Sequence, residues 1–298
     1  MLLSQRALLI ICSLLVSLKA VCLSVAIEVQ GHRGCRGILP ENTLPAFKEA
    51  LEAGVDVLEM DLAVTRDRVL VISHDPHINA QICLNPDGTK IINAPLINEL
   101  TLEEVKSYDC GRLKHPHFKR QRPIPNTRIP TLEEVFELVR TSSSPKAKTI
   151  GFNIETKIFK NHPEYTVGAQ EFSELVVKAF KHSGFLDRIT LQSFDFRTLS
   201  IAKDLEPSLR TVALVEDKNI DMVEQGLLLN VFAVSPDFRL LSSDLVKKLH
   251  QSGLKVIPWT LNKEEEWQQA ITMEVDGIIT DYPSFLIAYL LGQRHNHF

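Results

Sequence analysis

The chain is short of most features that mark a specialised class. Of its 298 residues only 7% are aromatic and two are Trp, and Lys plus Arg (33) fall below Asp plus Glu (37), for a formal net charge of −4. A deficit of basic residues leaves no electrostatic footprint for nucleic acid, and none is expected as a partner. No run of about 20 apolar residues occurs, so no stable membrane span is expected. Internal repeats, low-complexity tracts and a linker are also lacking, which argues for one globular domain.

The first 26 residues stand apart. Arg6 precedes an apolar run from Ala7 to Leu18, and Ser24-Val25-Ala26 offers the small residues that a signal peptidase reads. Residues 1–26 are expected to be a cleaved export signal, with Lys19 as an imperfection and an uncleaved anchor as the alternative. Residues 27–298 would then carry the function, in a periplasmic or secreted protein. Cysteine is sparse: Cys12 and Cys22 leave with the signal, and Cys35, Cys83 and Cys110 remain. A Cys83–Cys110 bridge and three free thiols are both compatible with the spacing.

From Ile27 onward, short apolar runs alternate with segments of helical period, the pattern of repeated βα units and a parallel sheet. Eight strands are predicted: 27–31, 55–61, 150–156, 188–192, 209–214, 231–234, 254–259 and 277–280. The fold class is α/β, a (β/α)8 TIM-type barrel. Thr131 with Glu134 predicts a capping box for a helix burying Val135, Phe136 and Val139; Thr43 and Pro45 open another helix, and Gly184 and Gly253 are helix stops. Val69 to Ser73 is left over and is assigned to an antiparallel hairpin after strand 2. A two-residue turn at Arg66-Asp67 would set Thr65 opposite Arg68 and Glu59 opposite His74. Residues 76–130, rich in proline with a basic patch at Lys114 to Arg122, read as an insertion on the active-site face, with a short capped helix near Thr101 to Glu104.

Chemistry gathers at the predicted strand ends. His32-Arg33 closes the first strand beside a helix N-terminus, an arrangement that suits an anionic phosphate. Glu59 and Asp61 share one side of the second strand, and Glu155 and Lys157 share one side of the third. Three carboxylates converging at a barrel mouth repel one another unless a cation sits among them. An all-oxygen set favours Ca2+ or Mg2+. His74 follows the hairpin, and with His32 it would form an acid/base pair.

These residues carry a resemblance. His32-Arg33-Gly34, Pro40-Glu41-Asn42-Thr43, Glu59-Met60-Asp61, His74-Asp75, Ile129 to Glu134, Glu155-Thr156-Lys157, Gln192-Ser193-Phe194, Trp259 to Asn262 and Asp276 to Pro283 resemble, in that order, the motifs of glycerophosphodiester phosphodiesterases. The resemblance implies a barrel enzyme that hydrolyses glycerophosphocholine, glycerophosphoethanolamine and similar small diesters to sn-glycerol 3-phosphate and an alcohol. It implies one divalent cation, Ca2+ or Mg2+, on Glu59, Asp61 and Glu155, His32 and His74 as catalytic residues, and Arg33 and Lys157 on the phosphate. Trp259 and Gln192 are candidates for the substrate pocket, with packing as the alternative; Phe194 and Asn262 stand likewise, and Asp281 is read as a cap of the final helix. Direct attack by water and a cyclic phosphate intermediate remain open. A lysophospholipase D-like or cyclising enzyme on the same barrel is one alternative, and a non-catalytic binding protein the other.

Overall fold

The computed structural model describes residues 27–295; the export signal expected at 1–26 lies outside the described residues. Nine strands form one sheet: β1 (Glu28–Gly31), β2 (Val57–Val64), β3 (Leu70–Ile72), β4 (Gly151–Thr156), β5 (Ile189–Ser193), β6 (Arg210–Val215), β7 (Ala233–Pro236), β8 (Lys255–Val256) and β9 (Gly277–Thr280). All neighbours are parallel except β3, which runs antiparallel on β2. In spatial order the parallel strands run β8-β7-β6-β5-β4-β2-β1-β9. The two ends meet: the amides of Asp276 and Ile279 donate to the carbonyls of Val256 and Pro258, and Leu261 N donates to Ile279 O. This closes the eight parallel strands into the expected barrel.

Among the described residues the α-helices are α1 (Leu44–Ala53), α2 (Leu102–Lys106), α3 (Leu132–Arg140), α4 (Ala169–Ser183), α5 (Phe196–Leu205), α6 (Met222–Leu228), α7 (Ser243–Gln251), α8 (Glu264–Thr272) and α9 (Pro283–His295). All but α2 follow barrel strands and cover the sheet. The punctuation expected from sequence is present. Thr131 and Glu134 form a reciprocal capping box that starts α3, whose buried stripe is Leu132, Val135, Phe136 and Val139. Phe136, Phe152 and Phe185 pack there with ring centroids 5.1 to 5.5 Å apart. Burying a ring of this kind contributes about 1.5–3 kcal/mol. Thr43 caps α1, and Gly184 ends α4 in the left-handed region.

The hairpin departs from expectation by one residue. Leu62 pairs with Ile72 and Val64 with Leu70, so Asp61 lies level with Ser73, and Glu59 does not face His74. The turn holds three residues rather than two because Arg68 takes a left-handed conformation (φ 64°), and Thr65 N donates to Val69 O across it. The strand at 254–259 is likewise shorter than expected, since Pro258 has no amide hydrogen to offer a ladder.

The insertion builds a satellite core. Ile78, Ile82, Ile91, Ile97, Val105 and Ile129 pack on Ala63 and Val71 of the hairpin, and Cys83 and Cys110 are joined by a disulfide at its centre. The expected capped helix is there: α2 carries its own capping box, Thr101 with Glu104. Cys35 is a buried free thiol whose pKa is pushed up to about 12 by desolvation.

Candidate active site

The barrel mouth gathers side chains from eight segments into one pocket of about 240 Å3, whose lining includes His32, Arg33, Glu59, His74, Glu155 and Lys157 together with Phe194, Leu214, Trp259 and Ile279. Strand alternation puts Glu59 and Asp61 on the interior of β2, and the pairing Asp61↔Glu155 sets the third carboxylate beside them on β4. All three are buried, and one oxygen from each lies within 4.8 Å of the others.

Their charges are held by a small number of cations. Arg33 takes a left-handed conformation (φ 49°) just past β1. Its Nη1 donates to Glu41 (2.8 Å), its Nε lies 3.2 Å from Asp61, and its backbone N–H donates to Glu59 Oε2 (2.8 Å). Lys157 sits 2.8 Å from Glu155 and 3.5 Å from Asp61. Burial alone would raise the pKa of Asp61, but Arg33, Lys157 and His74 outweigh it and hold the group far below the usual carboxylate range. Glu59 and Glu155 go the other way. Desolvation, reinforced by neighbouring acids, drives Glu59 well up, and desolvation takes Glu155 to about 7 against the pull of Lys157. Buried carboxylates that are costly to ionise side by side, with one oxygen from each converging within 4.8 Å, form a hard-oxygen set that fits a divalent cation.

The two histidines are mounted alike. His32 Nδ1 lies 2.6 Å from Asp281 Oδ1, and Asn262 Nδ2 donates to Asp281 Oδ2 (2.7 Å). His74 Nδ1 lies 2.8 Å from Asp75 Oδ1, and Asn79 Nδ2 donates to Asp75 Oδ2 (2.7 Å). In each case a carboxylate that an Asn holds in place accepts the Nδ1 proton, which leaves Nε2 of the neutral ring as the free lone pair. Their surroundings differ: His32 is 12% exposed and His74 34%. Burial lowers the His32 pKa to about 4 despite the raising effect of Asp281, while that of His74 is lowered by burial against the opposing pull of Asp61 and Asp75. Asp281 would be raised by burial, but His32, Arg36 and Asn262 hold it at about 2. Its carboxylate serves His32 and Arg36, a role that the helix-cap reading did not foresee.

The sequence-selected residues His32, Arg33, Glu59, His74, Glu155, Lys157, Gln192, Phe194 and Trp259 line this pocket; Asp61 is buried against Arg33 and Lys157, and Asn262 is engaged with Asp281 outside the lining. Two selected residues have their polar groups occupied. Gln192 Nε2 donates to Glu59 Oε1 (2.8 Å) while its Oε1 accepts from Asn153, and Trp259 Nε1 donates to Ser235 O (2.9 Å) with its ring edge-on to Phe194 at 5.6 Å. Sequence reasoning left out Glu41, which pairs with Arg33, and Asn42, whose Nδ2 donates to Asp61 (2.9 Å). Both stand in a quoted motif but carried no chemical signature. Arg36, 2.9 Å from Asp281, and the exposed Glu216 also line the mouth.

Comparison with known proteins agrees with this geometry. The model of the glycerophosphoryl diester phosphodiesterase family matches residues 32–284. A glycerophosphodiester phosphodiesterase of Caldanaerobacter subterraneus subsp. tengcongensis is 32% identical over 259 residues, covering 87% of this chain and 96% of that protein. A Silicibacter pomeroyi DSS-3 structure assigned to the glycerophosphoryl diester phosphodiesterases superimposes with a TM-score of 0.83 at 27% identity, over 90% of this chain and 94% of that one. An Oleispira antarctica phosphodiesterase, solved with the product sn-glycerol 3-phosphate, shares the fold (TM-score 0.73, 24% identity, 88% and 96% covered). With nearly the whole barrel inside the family match, and about a third of the aligned residues shared with an enzyme of that name, the chain belongs to the glycerophosphoryl diester phosphodiesterase family.

Proposed function

We propose that the chain hydrolyses small glycerophosphodiesters, glycerophosphocholine and glycerophosphoethanolamine among them, to sn-glycerol 3-phosphate and the free alcohol. The observation that carries this reading is the pair of carboxylate-mounted histidines that line one pocket with the buried acidic triad. Glu59, Asp61 and Glu155 would hold one divalent cation, Ca2+ or Mg2+, in keeping with their all-oxygen chemistry. When bound, such an ion supplies Lewis acidity and a fixed anchor for a phosphoryl oxygen.

The protein's own residues divide the remaining work. His32, the drier of the two, stays neutral across the physiological range and offers Nε2 as the base that takes a proton from the attacking hydroxyl. His74, more open and facing both Asp61 and Asp75, is the better placed to carry a proton and deliver it to the departing alkoxide. Arg33 and Lys157 remain cationic, since nearby acids outweigh the effect of burial on each, and they balance charge that accumulates on the phosphoryl oxygens. Phe194, Leu214 and Trp259 supply the apolar part of the lining.

Export to the periplasm or the exterior forms part of the proposal. The N-terminal apolar run with its small-residue terminus supports it, as does the Cys83–Cys110 disulfide, a bond that persists in oxidising compartments. Among the described residues no helix is long and apolar enough to cross a membrane. The test is release of sn-glycerol 3-phosphate from glycerophosphocholine by the purified 27–298 protein with EDTA, Ca2+ or Mg2+, alongside His32→Ala. Release restored by metal and abolished by the substitution is the expected result. No release with any ion would sink the reading, and lysophospholipids would be tried next.

A further inference from the structure

The interior of the barrel is divided. Toward β6 to β9 it is filled by Val212, Ala233, Ile257 and Ile279, a small apolar cluster. Next to these by register, Gln192 beside Val212 and Gln30 beside Ile279, the other half is filled by Gln30, Asn153, Gln192 and Glu59, each no more than 3% exposed. Aliphatic side chains fill such a space without any hydrogen-bonding requirement, whereas a buried amide left unpartnered costs about 1–3 kcal/mol. The amides are linked into one set, in which Asn153 Oδ1 is the one side-chain oxygen without a partner.

The connections have a direction. An ionised Glu59 can only accept, so Gln192 must turn Nε2 toward it (2.8 Å), which leaves Gln192 Oε1 in need of a donor. Asn153 Nδ2 is that donor (2.9 Å), and it also donates to Gln30 Oε1 (2.8 Å). Gln30 Nε2 then donates to Glu28 Oε1 (2.7 Å) at the N-terminal mouth of the barrel. Asn153 is thus the central donor from which two arms run outward, each ending on a carboxylate. Of the Glu59 oxygens, Oε1 is fixed by this chain and Oε2 by the backbone N–H of Arg33.

We propose that Asn153, supported by Gln30, is a positioning residue that acts through Gln192 to hold Glu59 in a cation-binding orientation. The inference rests on the reading of Glu59 as a ligand of the divalent cation. Asn153 touches neither the cation nor the substrate in this scheme. It fixes which end of the Gln192 amide meets Glu59.

Asn153→Asp is the discriminating substitution, because it keeps size and shape while removing the double donor. Gln192 then has reason to rotate and present Oε1 to Glu59, oxygen against oxygen. An added negative charge by itself would tighten cation binding; the positioning role predicts the opposite. Calorimetric titration of the EDTA-stripped full protein with Ca2+ or Mg2+ alone should show affinity weakened by about 10- to 100-fold, the usual effect of losing a residue that orients a metal ligand. Hydrolysis should recover when the ion concentration is raised by a similar factor. Asn153→Leu serves as a second variant should the Asp variant fail to fold, and should weaken binding to a smaller extent. Thr211→Val removes a buried hydroxyl that has no hydrogen-bond partner, and should leave the affinity within about twofold. Unchanged affinity in a folded Asn153→Asp or Asn153→Leu protein would overturn the inference, as would a parent protein that binds neither ion. A parent that binds the ion and loses affinity on substitution, yet hydrolyses no diester, would uphold the positioning role and sink the proposed activity instead.

Discussion

Cation binding to this site should be strongly coupled to protons. In the cation-free protein the Glu155 pKa is raised to about 7 and Glu59 is raised well above the ordinary glutamate range, by burial first and by neighbouring acids second. Both must be ionised to ligate, so the ion competes with protons for the same oxygens. The sign is fixed by the raised values: below them the sites are protonated and affinity is lost as pH falls. At pH 7 Glu155 is about half protonated, so its share is release of about half a proton per ion bound, and the raised Glu59 adds to that count. Glu155 alone makes the apparent Kd at pH 6 about tenfold weaker than at pH 8, and Glu59 steepens the dependence by up to another factor of about ten per pH unit. Titration calorimetry of the EDTA-stripped protein in buffers of different ionisation enthalpy counts the protons directly. A count near zero, with Kd flat between pH 6 and pH 8, would refute the assignment of these two carboxyls as raised, cation-competent ligands.

Four further outcomes are expected. Asp281→Asn should lower kcat by about 10²- to 10⁴-fold, since the amide no longer selects the His32 tautomer with a free Nε2; a pH–rate profile and kcat measurement with the cation saturating will test it. In EDTA, His32 has a folded pKa of about 4 against about 6.5 unfolded, so its contribution is full above pH 6.5 and falls by about 3 kcal/mol as pH drops through 4. The difference in melting temperature between parent and His32→Gln should therefore change across that window, and a constant difference would count against it. Opening the Cys83–Cys110 bridge, with its sequence separation of 27, should cost about 3.5 kcal/mol by loop-closure entropy, measured by denaturant unfolding of the double Ala variant. Gly34→Ala would set a Cβ 2.7 Å from the Ala46 carbonyl carbon at φ +83°, and should cost about 1–3 kcal/mol and move the Arg33 loop; an unchanged melting temperature and activity would contradict this.

Most of the barrel was legible because its signals are local. Strand runs, Thr-x-x-Glu boxes and αL glycines are short-range devices, and the Cα register then carried Glu59, Asp61 and Glu155 to one end of the barrel without further information. What was illegible depended on contacts across the chain. The hairpin slipped by one residue because Arg68 adopts a conformation that sequence statistics reserve for Gly and Asn. Asp281 reads as a helix cap until β9 is laid beside β1 and its carboxylate meets His32. Gln192 reads as a substrate contact until Asn153 and Glu59 are found on either side of its amide. The insertion has weak periodicity because its small core is organised around a disulfide rather than around helices or strands, and the bridge itself was one of two open alternatives.

The His32–Asp281 contact spans 249 residues. It depends on β1 lying beside β9, so the first strand remains an unprotected edge until the last strand has been synthesised and docked. A chain emerging N-terminus first can form β2 through β8 and gather the acidic triad early, but its His32 has no carboxylate to orient it until β9 closes the ring. Loop closure on this scale is among the slowest events in folding a domain of this kind. If His32 is the base proposed here, hydrolytic competence arrives with the final closure, and a chain truncated before Asp281 would leave His32 without the carboxylate that orients it.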